Sequence, residues 1–182
     1  MDLPSWLPMW GFVLMMIAAG IVALWLIALI ISIIFINIFK RRISNESSTL
    51  NLLLAQRYET MIDIIKIAEK NNITIPKEEK KSIYLLERIN DFQKLAKNDR
   101  DSRVLSFIHA SHNIISICEH SGLKGNEEFI DKLVEFNDVE ETYRQKSALY
   151  NSDIIGYNYW VSVLSLKTLF RIFGLKTKDL IV

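Results

Sequence analysis

The chain is 182 residues long, which leaves room for one domain and one membrane anchor. Its 22 basic and 21 acidic residues nearly cancel: with Asp2, Lys40, Arg41 and Arg42 set aside, residues 43–182 carry 19 basic against 20 acidic groups, and such a domain has no electrostatic footprint for nucleic acid. Cys118 is the only cysteine, so an intrachain disulfide is excluded and nothing points to an oxidising compartment.

No Asp, Glu, Lys or Arg occurs from Leu3 to Phe39. The core of this stretch, Trp10 to Ile36, is 27 residues interrupted only by Gly11, Gly20 and Ser32. As a helix rising about 1.5 Å per residue it exceeds a hydrocarbon core of about 30 Å and can span it with tilt. A cleaved signal peptide fits poorly, because Asp2 replaces the usual positive flank and the apolar run is too long. The expected layout is a short extracytoplasmic N-terminus (1–9), a transmembrane helix (10–39), a helical domain (40–164) and a C-terminal segment (165–182). Lys40, Arg41 and Arg42 directly follow the span, and no Lys or Arg precedes it. The positive-inside rule then puts the N-terminus outside and residues 40–182 in the cytoplasm, with Trp6 and Trp10 in the outer aromatic belt.

No proline or glycine falls between Ile21 and Ile75, so the anchor is expected to run into a first cytoplasmic helix over about 43–71. Ile43, Leu50, Leu54, Met61, Ile64 and Ala68 make its single apolar stripe. Pro76 opens a second helix, about 77–97, with Glu78 and Glu79 at its positive end and Leu85, Ile89, Phe92 and Ala96 on one face. Asn98, Asp99, Arg100, Asp101 and Ser102 read as a polar turn. A third helix, about 103–120, carries Val104, Phe107, Ile108, Ile114, Ile115 and Cys118, and Gly122 is its stop.

Asn126 caps the fourth helix. Its stripe alternates steps of four and three: Phe129, Leu133, Phe136, Glu140, Tyr143, Ser147, Tyr150, Ile154, Tyr157, Val161 and Leu164. That is a heptad seam of bundle or coiled-coil type. The expected fold is all-α: an N-terminal transmembrane helix followed by an antiparallel four-helix bundle. Up-and-down order returns the C-terminal segment to the membrane surface. There Lys167, Phe170, Arg171 and Phe173 belong to a basic amphipathic stretch that suits an anionic interface, and equally to a cap on the end of the bundle.

Two Tyr-Asn pairs, Tyr150-Asn151 and Tyr157-Asn158, stand one heptad apart, and Phe173-Gly174-Leu175 follows. Together with Leu123-Lys124, Phe129 and Glu140 they resemble the LemA family of bacterial membrane proteins over roughly 123–176, the anchor and first helix fitting more loosely. The resemblance implies an outside N-terminus, one membrane helix, a cytoplasmic helical bundle and a role in the cell envelope, beside membrane proteases or in shaping membrane regions. The chain departs from the family at Leu164-Ser165, where members carry Phe-Pro, and at Met61 to Ile64, where they carry Leu-Ile-Pro-Asn. In a bundle, Tyr150 and Tyr157 bury rings in the seam, while Asn151 and Asn158 at its edge can bridge to a neighbouring helix.

Candidate chemistry is sparse. His109 and His112 share a helix face, but His120 lies about 16 Å further along the axis, and no Glu stands three residues before any histidine as a di-iron bundle requires. Glu140 interrupts the apolar seam and calls for a Lys or Arg partner on another helix. Cys118 has no adjacent basic group to activate it, and no nucleophile–base motif or phosphate loop is present. The expectation is a non-enzymatic membrane scaffold or adaptor of the cell envelope without a cofactor. Its expected partners are the lipid bilayer, further copies of itself and an unidentified membrane or envelope protein. The contrasting expectation is a metal- or ligand-binding bundle, sensory or enzymatic, centred on Glu140, His109 and His112.

Overall fold

With neither proline nor glycine to break it between residues 21 and 75, the first helix runs without interruption from the apolar stretch into the charged one. A computed structural model describes residues 7–87, 97–162, 174 and 176–181. Among these residues are α1 (Leu7–Lys70), α2 (Lys77–Tyr84), α3 (Lys97–His120), a 3₁₀ turn (Leu123–Gly125) and α4 (Glu127–Ser162), and no strand. The chain divides into two compact units: Met1–Arg42 with Asp153–Lys178, and Ile43–Ser152 with Asp179–Val182.

In the first unit, α1 is the one helix among the described residues that is long and apolar enough to cross a membrane. From Met9 to Ile31 its side chains are exposed on every face, except for the half-buried Ala28 and Leu29. Beyond that the environment changes. Ser32 and Ile36 are buried, and Phe35 stacks on Trp160 with ring centroids 4.7 Å apart. Gly156 lies so close to Phe39 that a Cβ there would stand 2.6 Å from the ring, so the absence of a side chain is what permits the approach.

In the second unit, all six stripe residues of α1 (Ile43, Leu50, Leu54, Met61, Ile64 and Ala68) are buried. All of them but Ile43 share one core with Ile83, Val104, Phe107, Ile114, Cys118, Phe129 and Phe136. Cross-helix polar contacts between α1 and α4 follow a regular order: Lys70–Glu128 (2.9 Å), Asp63–Lys132 (3.5 Å), Thr60–Glu135 (3.5 Å), Arg57–Glu140 and Glu46–Lys146 (3.5 Å). Every described position of the α4 seam, from Phe129 to Val161, is buried or half-buried; Leu164 lies outside the described residues.

The helix ends follow local chemistry. α1 closes with Asn72 in the left-handed region (φ 60°), while Ile73 N–H donates to Ala68 O and Asn72 N–H to Glu69 O. This is a Schellman pair, with asparagine in the place glycine usually takes. Gly122 (φ 98°) terminates α3, and Asn126 Oδ1 accepts from Phe129 N–H at 3.0 Å to cap α4.

Two expectations fail. Residues 98–102 are not a turn, because α3 already begins at Lys97. Asp and Ser suit the first turn of a helix as well as a loop, and Asp99 there meets the positive helix end. The second helix is described only to Tyr84; Leu85, Leu86 and Glu87 form a turn in which Leu86 is buried and Leu85 exposed, so the burying face is not the one that period predicts. Ile89, Phe92 and Ala96 lie outside the described residues.

Candidate functional site

Two polar constellations interrupt the apolar seams. The first is a charged layer. Arg57 sits in the α1 stripe three residues after Leu54 and four before Met61, and its side chain is fully buried. Its Nη2 pairs with Glu140 Oε2 of α4, whose side chain keeps 32 % exposure. The rest of the guanidinium lies over aromatic faces, 4.8 Å from the Tyr143 ring centroid and 5.3 Å from that of Phe107. Burial pulls the Arg57 guanidinium below its ordinary value, and the Glu140 carboxylate opposes that shift. An arginine starts so high that it keeps its proton at neutral pH. Burial likewise pushes the Tyr143 hydroxyl upward.

The second constellation is the pair of Tyr-Asn doublets. Within the first unit, Asn158 Nδ2 donates to the main-chain oxygen of Lys178 at 2.8 Å, and its Oδ1 accepts the Lys178 N–H at 2.8 Å. The Lys178 ammonium stands 5.5 Å from the Tyr157 ring centroid. Burial, with Lys40 nearby, pulls the Lys178 amine below its ordinary value. Within the second unit, Asn151 repeats the arrangement on Ile181, donating at 2.9 Å and accepting at 3.0 Å. Tyr150 and Ile181 line a common cavity of about 40 Å³ together with Leu50, Leu54 and Tyr143. The asparagine amides therefore grip the main chain of residues 178 and 181, which belong to neither helix nor strand, rather than a neighbouring helix.

The other sequence candidates separate. His109, His112 and His120 are exposed, and His112 and His120 turn their rings back onto the carbonyls of Ile108 and Ser116. Among the described residues no three His, Cys, Asp or Glu side chains gather closely enough to hold a metal ion. Cys118 is fully buried, and burial pushes its thiol up to about 11. Lys40, Arg41 and Arg42 are exposed, and Gly174 has a positive φ of 72°. Lys167, Phe170, Arg171 and Phe173 lie outside the described residues. Sequence reasoning passed over Arg57, although a basic residue at a stripe position was the signal to follow. It also passed over Lys178 and Ile181, which no periodicity marks. Set against protein-family models, curated proteins and solved structures, the chain matches none of them.

Proposed function

We propose that the protein is a membrane-anchored scaffold or adaptor of the bacterial cell envelope, LemA-like in layout. One observation carries the reading. A single unbroken helix bears an uncharged length exposed on all sides and then, further along, the buried stripe of a helical domain. Apolar side chains exposed in that density are stable in lipid and not in water. The basic triplet Lys40, Arg41 and Arg42 favours an outside N-terminus and a cytoplasmic domain in the inner membrane. The ordered run of α1–α4 contacts, with numbers falling on one helix as they rise on the other, supports antiparallel packing in a bundle.

Such an anchor and domain hold partners at the membrane, including further copies of the chain through the exposed face of α4 or through the span itself. Crosslinking in native membranes, followed by identification of the adducts, tests this: homo-oligomers or envelope proteins are expected, and recovery of only uncrosslinked monomer overturns it. The topology has its own check. In inside-out vesicles protease should digest residues 43–182, and their protection sinks the orientation.

A further inference from the structure

Within the first unit, α1 and the end of α4 keep a fixed register. As α1 runs from Phe35 through Phe39 to Arg42, its contacts step back along α4 from Trp160 through Gly156 to Asp153. They are a ring stack with centroids 4.7 Å apart, a phenyl ring against the bare glycine face, and an ion pair at 4.0 Å. The steps are four and three residues on both helices, so a level on α1 can be read across to α4. Charge stops at the same level on both. Beyond the Arg42–Asp153 pair, α1 has Arg41 and Lys40 and then no charged residue back to Leu3, and α4 has none over residues 154–162. Gly156 permits the approach, as small residues do where helices meet in lipid. Depth follows from counting. With Trp10 in the outer aromatic belt, Phe35 is 25 residues on, about 37 Å at 1.5 Å per residue. That lies past a hydrocarbon core of about 30 Å and within the about 40–45 Å that includes both headgroup layers. Trp160 on Phe35, and Tyr159 edge-on to Trp160 at 5.6 Å, share that level. Ile155 and Tyr159, one turn apart on the uncovered side of α4, are each 60 % exposed.

We infer that residues 155–162 of α4 are a second lipid-binding surface, entering the headgroup layer beside α1, with Ile155 and Tyr159 against lipid and Trp160 held on Phe35. Tyr and Trp join an apolar ring to a polar edge, and the boundary between hydrocarbon and headgroups satisfies both at once where water satisfies only the edge. The partner is the interfacial layer of the bilayer itself and not one particular headgroup, because no Lys or Arg occurs over residues 154–162 to select an anionic lipid. Contact at this level gives α1 an aromatic belt at its Lys40 end, supplied by another helix, to match Trp6 and Trp10 at the opposite end. The inference rests on the proposed lipid anchoring of α1, but not on the side of the membrane the domain occupies or on the scaffold role.

The test attaches one small fluorophore to the full-length Cys118→Ala protein in phosphatidylcholine nanodiscs. It is placed through Tyr159→Cys, and for comparison through Leu24→Cys in the span and Leu52→Cys in the charged stretch, both of which are exposed positions. The quenchers are a doxyl group high on the lipid acyl chain, a doxyl group near the chain end, and aqueous iodide. The label at position 159 should lose most of its emission to the shallow doxyl lipid and keep it in iodide. The label at position 24 should respond most to the deep doxyl lipid, and that at position 52 to iodide alone. Iodide quenching at 159 together with lipid quenching at 24 overturns the inference and leaves the anchor standing. So does a label at 159 that neither quencher reaches, since protein then covers that face. Iodide quenching at 24 removes the anchor, and the inference with it. Should the labelled variants lose helicity, photocrosslinking of the parent chain by a lipid with a diazirine near its ester decides. Adducts on residues 155–162 as well as on the span are expected, and adducts on the span alone overturn the proposal.

Discussion

Residues 9–31 and 43–70 belong to one helix with the same backbone, yet they treat apolar side chains in opposite ways. The first stretch carries them on every face and exposes nearly all of them. The second confines its buried residues to one stripe and turns Glu, Lys and Gln outward. Helix propensity does not distinguish the two; the surroundings that each surface can satisfy do. The difference is open to a direct break. Leu24→Arg combined with Ile27→Arg places two charges in the uncovered stretch, at about 2.5–3.5 kcal/mol each in an apolar span. The double variant should leave the membrane fraction on carbonate extraction. Leu52 is equally exposed but lies in the second stretch, and Leu52→Arg there should change stability by no more than about 0.5 kcal/mol, with membrane association intact. If both variants behave alike, the two stretches do not differ in solvent.

A smaller effect sharpens the picture of the second stretch. Its stripe holds a full charge at Arg57, tolerated because Glu140 and two aromatic faces replace water around the guanidinium. Removing the partner leaves that charge buried and unpaired. Glu140→Ala should therefore cost about 3–5 kcal/mol in chemical unfolding. Replacing both residues, Arg57→Met with Glu140→Leu, should recover most of the loss, because an apolar pair of similar volume avoids desolvation altogether. If the double variant stays as unstable as the single one, the layer contributes something more than charge compensation.

How far the sequence revealed this arrangement depended on what kind of order was at work. Periodic order was legible. The α1 stripe, the α4 seam, the Gly122 stop and the Asn126 cap each follow from spacing or from a residue with one conformational use. Glu140 was legible as a demand for a cation, but Arg57 was not picked out, because a period search scores apolar residues and steps over a charged one in register. Residues 98–102 misled because Asn, Asp and Ser serve turns and first helical turns alike. The asparagine grips were not legible at all. Their partners lie 20 and 30 residues away in a segment without periodicity, and main-chain recognition leaves no mark on the sequence of the chain that is gripped.

The mildest prediction asks whether the protein-covered half is dry. Cys118 reports on this without perturbing the charged layer. It lies fully buried on α3 in the common core, with its thiol held at about 11. An ordinary cysteine ionises near pH 8.5. The folded protein therefore holds on to a proton that the unfolded chain gives up first. The stability this contributes is complete below about pH 8.5 and is lost as pH rises from there through 11. Alkylation by iodoacetamide at pH 8 should be negligible until denaturant opens the core, and should then proceed at the rate of a free thiol. In the folded protein Tm should fall more steeply between pH 9 and 11 for the parent than for Cys118→Ala, which lacks the titrating group while the tyrosines and lysines remain common to both. Ready alkylation under native conditions would show that solvent reaches the core, and the contrast between a stretch of helix exposed on every face and a stretch covered by protein would lose its second half.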